Sequence, residues 1–189
     1  SKLLDRAYPG LVAHYSEQLI SIYEMQSDNK ACKEELMYYV FECPQTELVY
    51  IYKLKELCTD AEWNEYREQI LQNPKNHSIF YPFMESEKMY ERMLECLKKE
   101  EFIFNMDRYE KIMKEKFPEQ VRDIYVAYLY REAKRANDRK RYRELMRYLK
   151  KLRKYPDGKE KAAEIAENWR SVYYRRSAMM DEMRKAGFN

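Results

Sequence analysis

The sequence predicts an all-α protein built as an antiparallel helical repeat, an α-α superhelix of the tetratricopeptide type. First, the 189 residues include only 3 Gly, and apolar residues recur at helical spacing along most of the chain. Second, no segment alternates apolar and polar residues between glycine turns, as antiparallel strands would. Third, one short block of residues occurs twice. We expect a single domain over 1–189, with 1–75 and 85–189 as its halves.

Helix signals divide the first part of the chain into four predicted helices and one ambiguous segment. Pro9 suits the first turn of a helix that runs to Met25, in which apolar residues recur every three or four positions. Thr59 and Glu62 match a capping box. The segment 76–86 is aromatic and contains Pro82, so it predicts a short helix or a turn packed on the core. The four predicted helices cover 11–25, 29–41, 47–57 and 60–73.

The second part of the chain predicts six further helices. Asp157 opens a D-x-x-E pattern, which is typical of a helix N-terminus, and Gly187 marks the end of the last helix. The links between the predicted helices are short, which favours antiparallel neighbours. The predicted helices cover 87–99, 107–116, 118–135, 138–153, 157–173 and 177–187.

The repeated block reads EELMYYV at 34–40 and RELMRYL at 143–149, an offset of 109 residues. At the same offset, an aromatic-Pro-x-x-Val pattern occurs at 8–12 and at 117–121. The offset is close to three helix pairs of about 36 residues, the period of helical repeats. Such repeats bury their apolar faces against their neighbours, so the block is interpreted as one packing solution used twice. The alternative is chance similarity between two amphipathic helices.

The last 70 residues carry a further series of short patterns. These are Phe117-Pro118-Glu119, Ile124-Tyr125, Arg139 to Tyr142, Tyr148-Leu149-x-x-Leu152, and Tyr-x-Arg-Arg-x-Ala closing at Glu182. With this series, residues 117–183 resemble the helical region C-terminal to the zinc finger in bacterial SWIM zinc-finger proteins. The resemblance implies an α-α superhelix that accompanies such a zinc module. The C-x-C and C-x-H pairs of that family do not occur in this sequence, so its zinc site is not transferred.

The chain begins at Ser1 rather than Met, so we expect it to be a fragment of a longer protein. The zinc module of the SWIM family would then lie upstream of this residue. We expect no membrane span, because no run of 18 apolar residues occurs.

The residue types that carry chemistry are sparse. Three glycines cannot form a glycine-rich phosphate loop, and the chain has only two histidines, His14 and His77. The four cysteines, at 32, 43, 58 and 96, match neither a zinc spacing nor a disulfide framework, which favours reduced thiols in a cytoplasmic protein. We therefore expect no enzyme activity, no cofactor, no metal and no small-molecule substrate.

Positive charge is concentrated between Arg131 and Lys154, a segment that contains 12 Lys or Arg and only three acidic residues. On a helix, Tyr142, Leu145 and Leu149 would point inward and most of the basic residues outward. Such a ridge could bind phosphates, or it could be a solvated face that pairs with acidic neighbours such as those at 95–101. The ridge residues predicted to bind nucleic acid or a partner are Arg139, Lys140, Arg143, Arg147, Lys150 and Lys151.

A second candidate cluster combines tyrosine and arginine, the residue types most frequent among interface hot spots. It consists of Tyr174, Arg175 and Arg176. Packing of each tyrosine at the edge of the core is the alternative.

The sequence therefore predicts a non-catalytic interaction module that binds a protein partner through one face of a helical array. The alternative function is association with nucleic acid through the basic ridge, in support of a zinc-finger module elsewhere in the full protein.

Overall fold

A computed structural model describes residues 9–43 and 46–188, and within these ranges it contains helices and no strand. The all-α prediction is confirmed. Tyr8, the first residue of the repeated aromatic-Pro pattern, lies outside the described residues. The elements are α1 (Pro9–Met25), α2 (Asn29–Glu42), α3 (Leu48–Glu56), α4 (Asp60–Gln72), a 3-10 helix (Pro74–Ile79), α5 (Phe80–Ser86), α6 (Tyr90–Lys99), α7 (Phe104–Lys116), α8 (Pro118–Arg135), α9 (Arg139–Leu152), α10 (Gly158–Val172) and α11 (Ser177–Lys185).

The chain separates into two compact units, one that ends at Met93 and one that begins at Leu94, so the division falls within α6. The expected single domain over 1–189 stays a prediction. The N-terminal unit encloses a core that includes Leu36, Ile51 and Phe83, and the C-terminal unit encloses one that includes Leu149 and Trp169.

Helices α1 and α2 form a helical hairpin in the N-terminal unit. A three-residue link joins them, and the side chain of Asp28 caps the first turn of α2. Across the hairpin, the hydroxyl of Ser16 donates to the carboxylate of Glu35. The hydroxyl of Tyr39 donates to Glu17 Oε1 at 3.0 Å. These bonds satisfy polar groups at the helix contact, where an unpaired buried hydroxyl would be costly.

Helices α8 and α9 form the corresponding hairpin in the C-terminal unit. Their link also has three residues, and Asp138 caps the first turn of α9. The rings of Tyr125 and Tyr148 meet with centroids 5.8 Å apart. Helix α10 then starts against the end of α9, because a Cβ added to Gly158 would lie 1.9 Å from the backbone oxygen of Leu152. Only glycine permits this approach without a shift of the backbone.

The two hairpins bury corresponding positions. Among the residues described between 10 and 46, eight are buried, and seven of them have a buried residue 109 positions later, the exception being Cys32. The two tyrosines of the repeated block, Tyr39 and Tyr148, are among these pairs. The seven pairs are Ser16 and Tyr125, Ile20 and Leu129, Leu36 and Leu145, Tyr39 and Tyr148, Val40 and Leu149, Cys43 and Leu152, and Thr46 and Tyr155.

The predicted helix signals differ in outcome. The capping box of Thr59 and Glu62 is confirmed, with both reciprocal hydrogen bonds present. The ambiguous segment 76–86 is helical, since the 3-10 helix continues into α5. The predicted side-chain cap at Asp157 is wrong, because this residue adopts a left-handed backbone with φ +52° and makes no capping hydrogen bond. The turn after α9 instead brings Gly158 against the backbone of Leu152, and Asp157 adopts its left-handed conformation within this turn.

Candidate functional site

Four basic side chains form a row along the exposed face of α9. Lys140, Arg143, Arg147 and Lys150 are all exposed and follow one another at steps of three or four residues. Ideal helix geometry places them within about 80° of the circumference and along about 15 Å of the axis. We call these four residues the basic row. Among the described residues, its cations form one ion pair with a carboxylate, between Arg147 and Glu144 at 3.6 Å.

A groove of about 360 Å³ lies beside the basic row, between α9 and the end of α11. Three residues of the basic row line it, namely Arg143, Arg147 and Lys150, and Lys185 of α11 contributes a fourth cation. Among the described residues, Glu182 supplies the one carboxylate of the lining, and Arg139 binds that carboxylate at 2.9 Å. The residues that line the groove are Arg143, Met146, Arg147, Lys150, Glu182, Lys185 and Ala186.

Arg139, the first of the predicted ridge residues, links α9 to α11. Its guanidinium donates to Asp181 at 2.7 Å and to Glu182 at 2.9 Å. The hydrogen bond from Arg139, followed by one from Lys185, lowers the pKa of Asp181 to about 2. Arg139 is therefore paired with two carboxylates of α11, and these bonds hold the α11 wall of the groove against α9.

Lys151 lies inside the C-terminal unit rather than in the basic row. Its ammonium is 2.7 Å from Asp107 Oδ1 and 2.6 Å from Glu110 Oε2. The hydroxyls of Tyr125 and Tyr148 also donate to the Asp107 carboxylate. Burial alone would raise the pKa of Asp107, but these donors, with Lys151 first, outweigh burial and lower it.

The hydroxyls around this carboxylate are held in their protonated form. Burial, and then the hydrogen bond to Asp107, raises the pKa of Tyr125 and of Tyr148. Burial and the hydrogen bond to Glu110 do the same for Tyr155. A hydroxyl with a raised pKa donates a hydrogen bond at neutral pH, so this network ties α7, α8 and α9 together.

The predicted Tyr-Arg cluster separates into an exposed and a structural part. Tyr174 is 62% exposed, and Arg175 donates to its hydroxyl at 2.9 Å. Arg176 instead donates to the backbone oxygens of Ala133 at 2.7 Å and Ala136 at 3.0 Å. Arg176 thereby satisfies carbonyls at the C-terminus of α8.

The acidic segment 95–101 pairs with basic residues outside the basic row. Glu95 binds Lys98 at 2.6 Å, and Glu101 binds Arg135 at 2.6 Å. Arg131 donates to the backbone oxygen of Glu101. Acidic neighbours therefore compensate the start of the basic segment, whereas the basic row on α9 stays exposed.

In the N-terminal unit, α1 exposes a stripe of large apolar side chains. Ser16 and Ile20 turn inward on the opposite side of the helix. His14 and Gln18 share the exposed face and contact each other at 3.2 Å, which gives the face a polar position. We call the exposed apolar residues the α1 stripe. They are 39% to 78% exposed and are Leu11, Tyr15, Leu19, Ile22 and Met25.

Residues of the metal-binding and nucleophilic types are scattered. The described residues contain no group of three or more His, Cys, Asp or Glu side chains arranged to hold a metal ion. The cysteines form no disulfide there, and Cys32 and Cys43 are buried. Within 9–43 and 46–188, no helix combines the length and apolar character needed to cross a bilayer.

Comparison of the chain with protein-family models, with curated proteins and with solved structures gave no match. The resemblance of residues 117–183 to the SWIM-associated helical region therefore stays a prediction. The sequence predicted the members of the basic row but not Lys185, which lies on another helix and is one of two basic residues in the last turn of α11.

Proposed function

We propose that this chain is a non-catalytic helical-repeat interaction module that binds a protein partner through the α1 stripe. The observation that carries the proposal is the exposure of five large apolar side chains on one face of a single helix. Scattered exposed apolar residues are ordinary on a protein surface, but a contiguous apolar patch is typical of an interaction site.

The composition of the α1 stripe fits a protein interface. Aromatic residues and Met are enriched in the buried centres of such interfaces, and Tyr15 and Met25 supply both types. Side chains spaced at three and four residues match the way in which one helix packs against another. The stripe therefore suits an amphipathic helix of the partner.

The helical hairpin of α1 and α2 favours binding because it holds the α1 stripe in place before a partner associates. Ile20 is fully buried, and Ser16 is bonded to Glu35, so the inner side of α1 is fixed. A surface that is ordered before binding loses less conformational entropy on association. The seven matched buried pairs of the two hairpins support the tetratricopeptide-like repeat as the scaffold.

Site-specific photocrosslinking in cells tests this proposal. A photoreactive residue replaces Tyr15 in the stripe or, as the control, exposed Asn64 on α4. We expect a discrete crosslinked protein from position 15 and none from position 64. The identified partner should bind the purified chain in calorimetry, and Leu19→Asp with Ile22→Asp should abolish the heat of binding. Equal adducts from both positions, or binding that survives the double substitution, would overturn the proposal.

A further inference from the structure

We propose that the groove between α9 and α11 binds the phosphate backbone of double-stranded nucleic acid without reading its bases. The site lies in the C-terminal unit and involves none of the α1 stripe, so it is independent of the proposed protein-binding surface. It consists of the basic row together with Lys185.

Four exposed cations line one concave surface, and exposed Lys140 extends the basic row beyond that lining. The basic row runs along one wall for about 15 Å, and Lys185 stands on the other wall. Arg143 and Lys150 line the groove and are exposed to solvent, so their charged ends remain hydrated. Duplex DNA carries one negative charge per 1.7 Å of its axis, so the row faces on the order of nine phosphates.

The electrostatics of the groove favour an anion because its one carboxylate is already bound. Glu182 accepts from Arg139 at 2.9 Å and lies 3.6 Å from Lys185. Asp181, beside it, also binds Arg139 and has its pKa lowered to about 2, so it stays paired at neutral pH. The acidic residues of α11 thus position the wall without cancelling the basic row.

The lining favours nucleic acid over an acidic protein segment. Protein interfaces are depleted in Lys and depend on aromatic or aliphatic anchors. Lys150 and Lys185 line the groove, and among the described residues Met146 is the large apolar side chain of the lining and is buried. Binding that depends on hydrated cations alone gains its free energy from counterion release, as with a phosphate backbone.

The same lining favours a duplex over a single strand. Proteins that hold single strands stack the bases on aromatic side chains. In the part of the chain that the structure describes, no aromatic residue lines this groove. Tyr148, whose ring centroid lies 4.8 Å from the guanidinium of Arg147, is buried. The bases of a duplex remain stacked on one another, so only the backbone needs to be contacted.

Fluorescence anisotropy with a labelled 20-base-pair DNA duplex tests the inference on the full chain. With five phosphate contacts, affinity should fall about 500-fold between 50 and 200 mM monovalent salt. Replacing Arg143, Arg147 and Lys150 together by Gln leaves two contacts, so that salt-induced loss should shrink to about tenfold. Circular dichroism checks that the helices persist in the variant.

The matched control replaces three other exposed lysines of the C-terminal unit, Lys99, Lys111 and Lys159, by Gln. It removes the same charge, and we expect duplex affinity within twofold of the parent. An equal loss in both variants would mean that net charge alone drives binding and would overturn the site. Tighter binding of a single strand of equal length would overturn the duplex assignment. Displacement of the duplex by polyglutamate of equal charge would reassign the groove to an acidic protein.

Discussion

Lys151 of α9 binds Asp107 of α7, with its ammonium nitrogen 2.7 Å from Oδ1 of the carboxylate. Lys150, its neighbour in sequence, is exposed in the basic row. A difference of one residue on a helix rotates a side chain by about 100°, which is enough to separate the groove from the interior. Of the two adjacent lysines, Lys151 therefore stabilises the contact between α7 and α9, whereas Lys150 contributes to the exposed basic row.

This pair gives a direct comparison. Lys151→Met leaves Asp107 and Glu110 without their ammonium partner, so we expect the free energy of unfolding to fall by about 2 kcal/mol. Lys150→Met should change it by less than about 0.5 kcal/mol, because the residue is exposed. Urea unfolding followed by circular dichroism measures both. Equal effects would show that the network around Asp107 does not stabilise the unit.

The lowered pKa of Asp107 predicts a dependence of stability on pH. A carboxyl with a lower pKa in the folded state stabilises the fold above its unfolded pKa, about 3.9, and loses this contribution as pH falls through the folded value. We expect Asp107→Asn to cost about 2 kcal/mol at pH 7 and progressively less below pH 4. Urea unfolding of both proteins at pH 7, 5 and 3 measures the difference.

Exposed Asp123, replaced by Asn, is the control for this pH series, with an expected effect below about 0.5 kcal/mol at each pH. If the cost of Asp107→Asn were the same at pH 7, 5 and 3, the Asp107 carboxylate would not be the group that makes stability depend on pH.

The carboxyl of Asp181 should titrate with a pKa of about 2. Arg139→Gln removes its first hydrogen-bond donor, so the pKa should rise toward the ordinary value of about 3.9. Lys185→Gln should raise it by less, since that donor contributes second. Carbon-13 NMR of the side-chain carboxyls measures the values. A pKa unchanged in Arg139→Gln would contradict the link between α9 and α11.

Gly158 and Gly10 predict opposite outcomes of the same substitution. A Cβ at Gly158 would meet the backbone oxygen of Leu152 at 1.9 Å, so Gly158→Ala should destabilise the protein by about 1 to 3 kcal/mol. Gly10 lies in α1 with nothing within 4 Å of an added Cβ, so Gly10→Ala should be neutral or stabilising by up to about 1 kcal/mol. Thermal unfolding measures both, and a loss at Gly10 as large as at Gly158 would refute the close approach.

The orientation of α1 predicts different costs at two adjacent residues. Ile20 is fully buried, and Ile20→Ala should cost about 2 to 4 kcal/mol. Leu19 is 39% exposed, and Leu19→Ala should cost less than about 1 kcal/mol. Chemical denaturation distinguishes them. Similar costs would mean that the α1 stripe is covered in the folded protein.

Helical spacing in the sequence was sufficient to predict the helices, but not which side of α1 is buried. The apolar period at Leu11, Tyr15 and Leu19 predicts a helix and is typical of a core-facing side, yet these residues are exposed. The inner side instead contains Ser16, whose burial is possible because Glu35 accepts its hydrogen bond from another helix. A contact between helices cannot be read from the period of one of them.

The candidate groove shows the same limit. Its α9 wall was predictable, because Arg143, Arg147 and Lys150 follow the period of one helix. The commitment of Arg139 to Asp181 and the contribution of Lys185 depend on where α11 packs, and the sequence alone does not determine that. Local spacing therefore predicted the members of a surface but not its opposite wall.

The matched burial of the two hairpins has a consequence for how this chain can change. Leu36 and Leu145 are both buried, whereas exposed positions differ in character, with Glu34 corresponding to Arg143. Buried and exposed positions can then be substituted separately, because the buried residues stabilise the fold and the exposed residues determine what the surface binds. The N-terminal hairpin thus presents an apolar surface on its first helix, and the C-terminal hairpin presents a basic surface on its second helix.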